Sequence, residues 1–337
     1  MTASNTPEPT LTAEDGTAAA AFLRRRGWLP ADAEVLSVAP AGAGNMNLVL
    51  RVRYRHPEAP SGEGSLILKQ ARPWVEKYPD IAAPTERLAV EADFYRCVAP
   101  ERGLAARMPQ LLAVDEGAHA ACLEDLGEAS DYVGLYAGER LPADDLATLL
   151  DWLSRLHALP VSAEQWPRLR NRAMRALNHA HIFSIPFDDG APDADAFCAG
   201  LGAPAARLRA DPAVRARIQE LGAGYLADGE QLLHGDCYPG SWLRSAAGLR
   251  IIDPEFGFLG PAEFDLGVLT AHLWFAGQED TDLSAYRAPR GFDARLMRGF
   301  AGAEILRRLL GVAQLPLDAD LQQRERWLEV GRELLRA

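Results

Sequence analysis

Five polar side chains near residue 235 and shortly after it have the types and the spacing that chemistry requires. His234 and Asp236 flank a glycine, Ser241 follows, and Asp253 and Glu255 lie 17 and 19 residues after Asp236. A His-x-Asp segment, a polar metal ligand and a second acidic segment, in this order, are typical of loops that transfer the γ-phosphoryl group of ATP. The spacing therefore predicts phosphoryl transfer.

Each side chain of this loop has an expected role in that reaction. Asp236 would accept the proton of the attacking hydroxyl group and orient it, and His234 would brace the loop through hydrogen bonds. Ser241 stands where kinases usually place an asparagine for a second magnesium ion, and a hydroxyl is the weaker ligand. Taken alone, a His-Gly-Asp segment could also be an ordinary turn, because short motifs recur by chance.

The acidic pair that follows the apolar segment Leu249–Ile252 is a candidate magnesium site. We expect Asp253 to ligate the metal on the ATP phosphates directly, with Glu255 beside it, because carboxylate oxygens suit Mg²⁺. Alternation would place both side chains on one side of an extended segment. The alternative is a solvated acidic turn, which the upstream loop at the right separation disfavours.

A glycine-rich loop, Ala41–Asn47, lies between two predicted strands. Its Gly42, Gly44, Asn45 and Asn47 are candidates to bring backbone N–H groups close to phosphate oxygens. A plain hairpin turn explains the same residues equally well. It is not a Walker A loop, because no Gly-Lys-Ser/Thr follows.

Lys69 ends the apolar segment Ser65–Leu68. In kinases a lysine at such a strand end contacts the ATP phosphates and pairs with a helix glutamate. Glu91 is the preferred partner here and Glu86 the second candidate. The alternative is a surface lysine at the end of a strand.

The elements that must position these residues change character near residues 125–130. Before this boundary the pattern predicts five strands and two helices; after it, long amphipathic helices. The predicted strands are Glu34–Val38, Leu48–Tyr54, Leu66–Leu68, Leu111–Val114 and Ala120–Leu123, and the predicted helices are Thr17–Arg26, Pro84–Val98, Ala143–Leu159, Ala205–Leu226, Glu263–Phe275, Ala294–Leu310 and Leu317–Leu335. We therefore expect an α+β fold with a disordered leader (1–16), a β-rich nucleotide-binding lobe (17–127) and a helical lobe for catalysis and substrate binding (128–337).

Composition narrows the classes of partner. The net charge of −12 over 337 residues disfavours nucleic acid and anionic membrane surfaces. The four cysteines lack C-x-x-C spacing and indicate reduced thiols in a cytoplasmic protein. No signal peptide or membrane-spanning run is apparent. A small molecule is the expected partner, and a homodimer is left open.

Four parts of the chain resemble the choline/aminoglycoside kinase superfamily and, within it, the 5-methylthioribose kinases. The specific ones are the Asp-Pro-Glu segment and the double arginine. The matching residues are Gly44–Val49, Ile67–Ala71, Leu233–Asp236 with Gly240–Ser241 and Asp253–Asp265, and Glu304–Ala313.

The resemblance implies a bilobal protein-kinase-like fold, dependence on ATP and Mg²⁺, and transfer to the anomeric hydroxyl of a 5-substituted ribose in methionine salvage. It implies that Arg307 and Arg308 lie near the substrate hydroxyls or the transferring phosphate. It also implies that Glu124 to Leu126 form a hinge that holds adenine through backbone groups. Without the resemblance, two adjacent arginines on a helix would indicate a solvated face with salt bridges.

The chain departs from this family in the loop after Asp236, where Cys237-Tyr238-Pro239 replaces a segment that usually contains a histidine. This departure concerns substrate recognition more than catalysis. One alternative is an aminoglycoside- or choline-type phosphotransferase acting on an amine-bearing molecule, which the arginine pair disfavours by repulsion. Another is a nucleotide-binding pseudokinase, supported only by Ser241 in place of asparagine.

Overall fold

The computed structural model describes residues 10–42, 44–59 and 61–337, which form two compact units. The N-terminal unit comprises the described residues of Met1–Pro100 and Met108–Gly127, and the C-terminal unit comprises Glu101–Arg107 and Glu128–Ala337. The short segment Glu101–Arg107, which sequence reasoning assigned to the first lobe, belongs to the second unit.

The N-terminal unit is built on a five-stranded antiparallel sheet in the order β1-β2-β3-β7-β6, accompanied by a separate two-stranded hairpin, β4–β5. Its elements are α1 (Gly16–Arg25), β1 (Glu34–Pro40), β2 (Leu48–Arg55), β3 (Glu63–Gln70), β4 (Trp74–Val75), β5 (Tyr78–Ala82), α2 (Arg87–Val98), β6 (Leu111–Asp115) and β7 (Ala120–Glu124). The seven predicted elements are present; the hairpin was not predicted.

Alternation explains which side chains of strand β2 are buried. Leu48, Leu50 and Val52 are buried, whereas Arg51 and Arg53 point the other way and pair with acidic side chains. The buried face packs with residues of α1, β3 and β7 in one apolar cluster. Period-two patterning therefore fixes which face of the sheet is covered.

The predicted leader is partly wrong. Residues 1–9 lie outside the described part of the chain. Leu11 is 1% exposed, and its backbone N–H donates to Gln70 Oε1 at 2.9 Å. Its carbonyl accepts from Arg72 Nη2. An apolar side chain with its backbone satisfied in this way packs as part of the unit rather than as a disordered tail.

The C-terminal unit is mainly helical, with two small antiparallel sheets, β12–β9 and β11-β10-β8. Its elements are α3 (Arg102–Ala105), β8 (Ala129–Asp131), α4 (Ala143–His157), α5 (Trp166–Leu169), α6 (Arg172–His179), α7 (Gly202–Ala210), α8 (Pro212–Leu226), β9 (Gln231–Leu233), β10 (Trp242–Ser245), β11 (Gly248–Ile251), β12 (Phe258–Gly260), α9 (Glu263–Phe275), α10 (Ala294–Leu310) and α11 (Leu321–Arg336). The predicted α+β class is confirmed.

One predicted helix is divided in two. Asp211 has an extended backbone and accepts a hydrogen bond from the N–H of Ala213, and Pro212 opens α8. A cap followed by proline at the first helical position starts a new helix, because proline lacks the N–H that a continuing helix needs. The helices α9 and α10 have their predicted bounds and carry residues of the site. Within the described residues, no helix is both long and apolar enough to cross a membrane.

Candidate active site

The catalytic-loop candidate begins where β9 ends, and its backbone is held by Asp265 of α9. Asp265 is fully buried; its carboxylate accepts from the N–H of His234 at 2.7 Å and of Gly235 at 2.9 Å. His157 Nε2 lies 3.2 Å from the same carboxylate. Burial alone would raise the pKa of Asp265, but the contacts with His157 and these N–H groups lower it below its ordinary value. A buried carboxylate therefore orients the loop.

His234 links this loop to the acidic segment. Its Nε2 lies 2.9 Å from the carbonyl oxygen of Ile252, and its Nδ1 accepts from the N–H of Asp236 at 3.4 Å. Because Nδ1 accepts, the proton is assigned to Nε2, which donates to the carbonyl. The bracing role expected for His234 has a geometric basis, since it ties Asp236 to the residue before Asp253.

Gly235 is required by its conformation and by its surroundings. Its φ is +82°, and a Cβ atom there would overlap the carbonyl oxygen of Phe256. Any larger residue would push this loop away from the turn that contains Glu255.

The Asp236 carboxylate is 21% exposed and faces the double arginine of α10. The Nη2 atoms of Arg307 and Arg308 each lie 3.4 Å from Asp236 Oδ1. Both arginines are buried, with 5% and 6% exposure, so the solvated face considered from the sequence is wrong. The structure thus brings together three of the predicted site residues from segments about 70 positions apart.

Glu304, which has no predicted role, binds both arginines. It accepts from Arg307 Nε at 2.5 Å and from Arg308 Nε at 2.8 Å and is 1% exposed. Its spacing of three and four residues from them on one helix was the available signal. Burial would raise its pKa, but the two arginines and His272 hold the pKa well below the ordinary value.

His272 extends this network into the core. Its Nε2 lies 3.2 Å from Glu304 Oε1 and its Nδ1 lies 2.6 Å from the hydroxyl of Tyr136. Burial lowers the pKa of His272 to about 4, although Glu304 opposes the shift. The ring is therefore neutral near pH 7, with Nε2 donating to Glu304 and Nδ1 accepting from Tyr136.

The four charged groups of this cluster balance. Asp236 and Glu304 supply two negative charges, and Arg307 and Arg308 supply two positive ones. The Arg308 guanidinium also lies over the ring of Tyr238, 4.9 Å from its centroid. Because the arginines are already neutralised, the cluster presents directed N–H donors without a net charge.

The acidic segment is a tight turn, so the expectation that it is extended is wrong. Asp253 has φ +60° and ψ 52°, and a 3₁₀ turn spans Pro254–Phe256. Asn171 holds the turn through its Nδ2, which donates at 2.9 Å to the carbonyl oxygens of both Glu255 and Gly257. A non-glycine residue in the left-handed region is costly and persists only where its surroundings impose it.

Asp253 and Glu255 fit a magnesium ion by their donor chemistry. Mg²⁺ is usually held by one or two carboxylates, with phosphate oxygens and water completing its coordination. Within the described part of the chain, no three His, Cys, Asp or Glu side chains form a group that could hold a metal ion. Ser241 is 3% exposed, and its Oγ donates to the carbonyl oxygen of Asp236 at 3.0 Å, so its hydroxyl also holds the loop.

The N-terminal unit contains the expected lysine pair. Lys69, near the end of β3, places Nζ 2.8 Å from Oε1 of Glu91 on α2. The two side chains are 2% and 3% exposed, so the surface-lysine alternative is wrong. Glu86 instead stands at the N-cap of α2.

Close contacts and a hydrogen bond hold part of the glycine-rich loop in place. A Cβ atom on Gly44 would lie 2.6 Å from the carbonyl oxygen of Asn47, whereas nothing lies within 4 Å of one on Gly42. Asn45 accepts through its carbonyl from the N–H of Lys77 at 3.0 Å, and Asn47 is 2% exposed. Only Gly44 among the described glycines of the loop is required by close approach.

The predicted hinge ends the N-terminal unit. The N–H of Glu124 donates to the carbonyl of Gln110 at 2.9 Å, so this group is used within the unit. Arg51 pairs with Asp125 at 2.9 Å. Leu126, which follows, is half-buried. Binding of adenine by Glu124 and Leu126 stays a prediction.

Comparisons with known proteins show which family this chain matches. Residues 38–300, more than three quarters of the chain, match the family model described as the phosphotransferase enzyme family. A methylthioribose kinase of Exiguobacterium sibiricum is 29% identical, with 86% of this chain and 82% of that protein covered. For a methylthioribose kinase of Cronobacter sakazakii the identity is 28%, and the chain spans 65% of its length (78% of this chain).

The fold is also similar to that of solved structures. The choline kinase LicA from Streptococcus pneumoniae superposes with a TM-score of 0.54 at 15% identity, covering 94% of this chain and all of that one. At that identity the likeness establishes the fold, which is protein-kinase-like as the sequence predicted. The chain belongs to the phosphotransferase enzyme family and is a kinase with a hydroxyl group as acceptor.

Proposed function

We propose that this protein is an ATP-dependent sugar kinase that phosphorylates the anomeric hydroxyl of 5-methylthioribose or a related 5-deoxypentose. The observation that carries the proposal is the cluster of Asp236, Arg307 and Arg308, with both arginines buried and 3.4 Å from the same carboxylate oxygen. The names of the curated relatives support the choice of sugar.

Asp236 is the proposed proton acceptor. Its carboxylate keeps 21% of its surface accessible, while its backbone and that of the two preceding residues are fixed by hydrogen bonds. A carboxylate with a fixed backbone and an open side can orient a hydroxyl group toward a phosphorus atom and accept its proton. The arginine N–H groups would stabilise charge that develops on the oxygens during transfer.

The nucleotide phosphates are the proposed ligands of Lys69 and of the backbone N–H groups of the glycine-rich loop. Lys69 is held by Glu91 in a fixed position, which suits a point charge directed at phosphate oxygens. Asp253 and Glu255 are the residues that would hold magnesium. When bound, the metal ion supplies neutralisation of phosphate charge.

A cationic acceptor such as choline or an aminoglycoside fits the cluster less well. The arginine charges are balanced by Glu304 and Asp236, so this cluster has no net negative charge to attract an ammonium group. The balanced cluster favours a neutral acceptor that offers oxygen atoms to N–H donors. The pseudokinase alternative rests on Ser241 alone, whose hydroxyl donates to the carbonyl oxygen of Asp236.

The test is ADP release with Mg-ATP and five acceptors: 5-methylthioribose, 5-deoxyribose, ribose, choline and an aminoglycoside. We expect rapid turnover with 5-methylthioribose or 5-deoxyribose, and only background in a matched Asp236→Asn protein. Preference for methylthioribose would place the enzyme in methionine salvage. Turnover with choline or the aminoglycoside alone would overturn the sugar assignment, and nucleotide binding without turnover on any acceptor would favour the pseudokinase.

A further inference from the structure

Arg87, the first residue of α2, uses all of its hydrogen-bonding capacity inside the N-terminal unit. The side chain is 1% exposed, and a guanidinium carries five N–H donors in a rigid planar fork. Five carbonyl oxygens accept from it: Asn47 Oδ1 at 2.9 Å, and the backbone oxygens of Arg72 at 2.9 Å, Pro84 at 2.7 Å, Met46 at 2.8 Å and Trp74 at 3.5 Å.

These acceptors come from separate parts of the chain. Met46 and Asn47 belong to the glycine-rich loop, and Arg72 and Trp74 lie at the start of the β4–β5 hairpin. A backbone hydrogen bond from Lys77 to Asn45 joins the turn of that hairpin to the same loop at 3.0 Å. The loop and the hairpin are therefore connected both by this backbone bond and by the Arg87 side chain.

The same helix also holds Lys69. Glu91 follows Arg87 by four residues, so the two side chains lie on one side of α2. Arg87 fixes the glycine-rich loop and Glu91 fixes Lys69 at 2.8 Å. One helix turn thus sets the position of both groups that the proposed function assigns to the ATP phosphates.

We propose that Arg87 is a positioning residue that makes the glycine-rich loop and the β4–β5 hairpin one rigid element of the nucleotide site. This inference rests on the proposed nucleotide role of the loop, and it adds that nucleotide affinity depends on the hairpin through Arg87. Charge-assisted bonds to several carbonyl groups hold a backbone loop more firmly than a single point charge can.

The first experiment compares Arg87→Lys, Arg87→Met and the control Arg26→Met. Arg26 pairs with Asp115 at 2.6 Å and covers the Phe22 ring in the same unit, so its loss reports general destabilisation. We expect both Arg87 variants to weaken ADP binding by about tenfold or more, the loss of at least one charge-assisted bond. The KM for the acceptor should stay near the wild-type value, and ADP binding to the control should not change.

The second experiment is hydrogen exchange, and its wild-type part does not depend on whether an Arg87 variant folds. Hydrogen exchange of the wild-type protein is measured with and without ADP. We expect the nucleotide to protect residues 44–47 and 72–84 together, and Arg87→Lys to loosen both segments while the strands β1 and β2 exchange as before.

Two results would overturn the proposal. One is ADP affinity in the Arg87 variants equal to that of wild type; the other is protection of residues 44–47 with no change in residues 72–84. Neither readout uses an acceptor, so failure of the sugar assignment is a separate result. A wild-type protein that does not bind ADP would overturn the proposed function and this inference together.

Discussion

The candidate site residues of the two units differ in how far they are exposed. In the N-terminal unit, Lys69 and Glu91 are 2% and 3% exposed and form an ion pair of 2.8 Å. In the C-terminal unit, Asp236 keeps 21% of its side chain accessible, although the arginines beside it are buried. The side chain expected to hold a ligand is thus fixed in a buried ion pair, whereas the side chain expected to accept a proton remains accessible to solvent.

Buried charges do the positioning in both units. Asp265 orients the backbone of the catalytic loop, Glu304 orients two arginines, and Arg87 ties a loop to a hairpin. Each is almost fully buried and has several partners. A buried charge with several fixed partners is costly to disturb, because removing one partner leaves the other desolvated and unpaired.

The substitution Asp236→Asn changes the accessible carboxylate and should have the largest effect, on turnover. The amide keeps the shape but cannot accept the proton of the hydroxyl group, so we expect turnover to fall by about a thousandfold. Measurement of kcat at saturating Mg-ATP and acceptor gives the value. ADP affinity, measured by calorimetry, should stay near the wild-type value; a variant of unchanged turnover would remove Asp236 from the reaction.

The substitution Lys69→Met removes one member of the buried ion pair and should lower both stability and ADP affinity. The change leaves Glu91 buried without its ion-pair partner, and breaking a buried pair costs about 3–5 kcal/mol of unfolding free energy. Chemical unfolding and ADP binding should both be impaired. The double variant Lys69→Met/Glu91→Leu should regain most of the stability but not the affinity. Regained affinity would mean that the pair only supports the fold.

The substitution Glu304→Gln tests the positioning of the two arginines, because it alters their shared partner and leaves Asp236 in place. The amide keeps one acceptor oxygen and replaces the other with an NH2 donor, so one arginine loses its partner and the cluster gains a net positive charge. We expect kcat to fall by roughly 10- to 100-fold, the weight of one or two charge-assisted hydrogen bonds. ADP affinity is the internal control, and an unchanged kcat would show that the arginines keep their position without Glu304.

The buried His272 should produce the smallest effect, a pH dependence of stability. Its pKa is about 4 in the folded protein and near 6.5 when unfolded. Below pH 6.5 the unfolded chain binds a proton at His272 that the folded protein does not bind. The stability that depends on neutral His272 is therefore complete above pH 6.5 and is lost as the pH falls toward 4.

Unfolding of wild type and His272→Gln at two pH values measures this effect. Between about pH 7.5 and about pH 5.5 we expect wild type to lose about 1 kcal/mol more than the variant. The comparison with the variant subtracts the other histidines whose pKa burial also lowers, His179 and His181. An equal loss in both proteins would mean that His272 does not resist protonation.

Features encoded by short spacings could be predicted from the sequence. The alternation of β2, the strand that delivers Lys69 and the bounds of α9 and α10 are local patterns, and the structure has them. The Lys69–Glu91 pair followed from a strand and the next long helix.

Features that join distant segments could not be predicted. Asp265 lies 30 and 31 residues from the backbone groups that it binds, and Asn171 lies 84 residues from Glu255. The left-handed Asp253 has no signal in its own neighbours, because tertiary contacts impose it. Leu11 falls in the predicted leader because its neighbours are polar, whereas its side chain packs in an apolar cluster and its backbone bonds to Gln70, 59 residues away.

The measurement that tests the account most directly is the identity of the phosphorylated oxygen. Wild-type protein is incubated with Mg-ATP and 5-methylthioribose, and the product is analysed by phosphorus–proton correlation NMR, with Asp236→Asn as the blank. We expect one phosphorus resonance coupled to the anomeric proton, and about a thousandth of that product from the variant in the same time. Phosphate on another hydroxyl, or as much product from the variant as from wild type, would contradict the account.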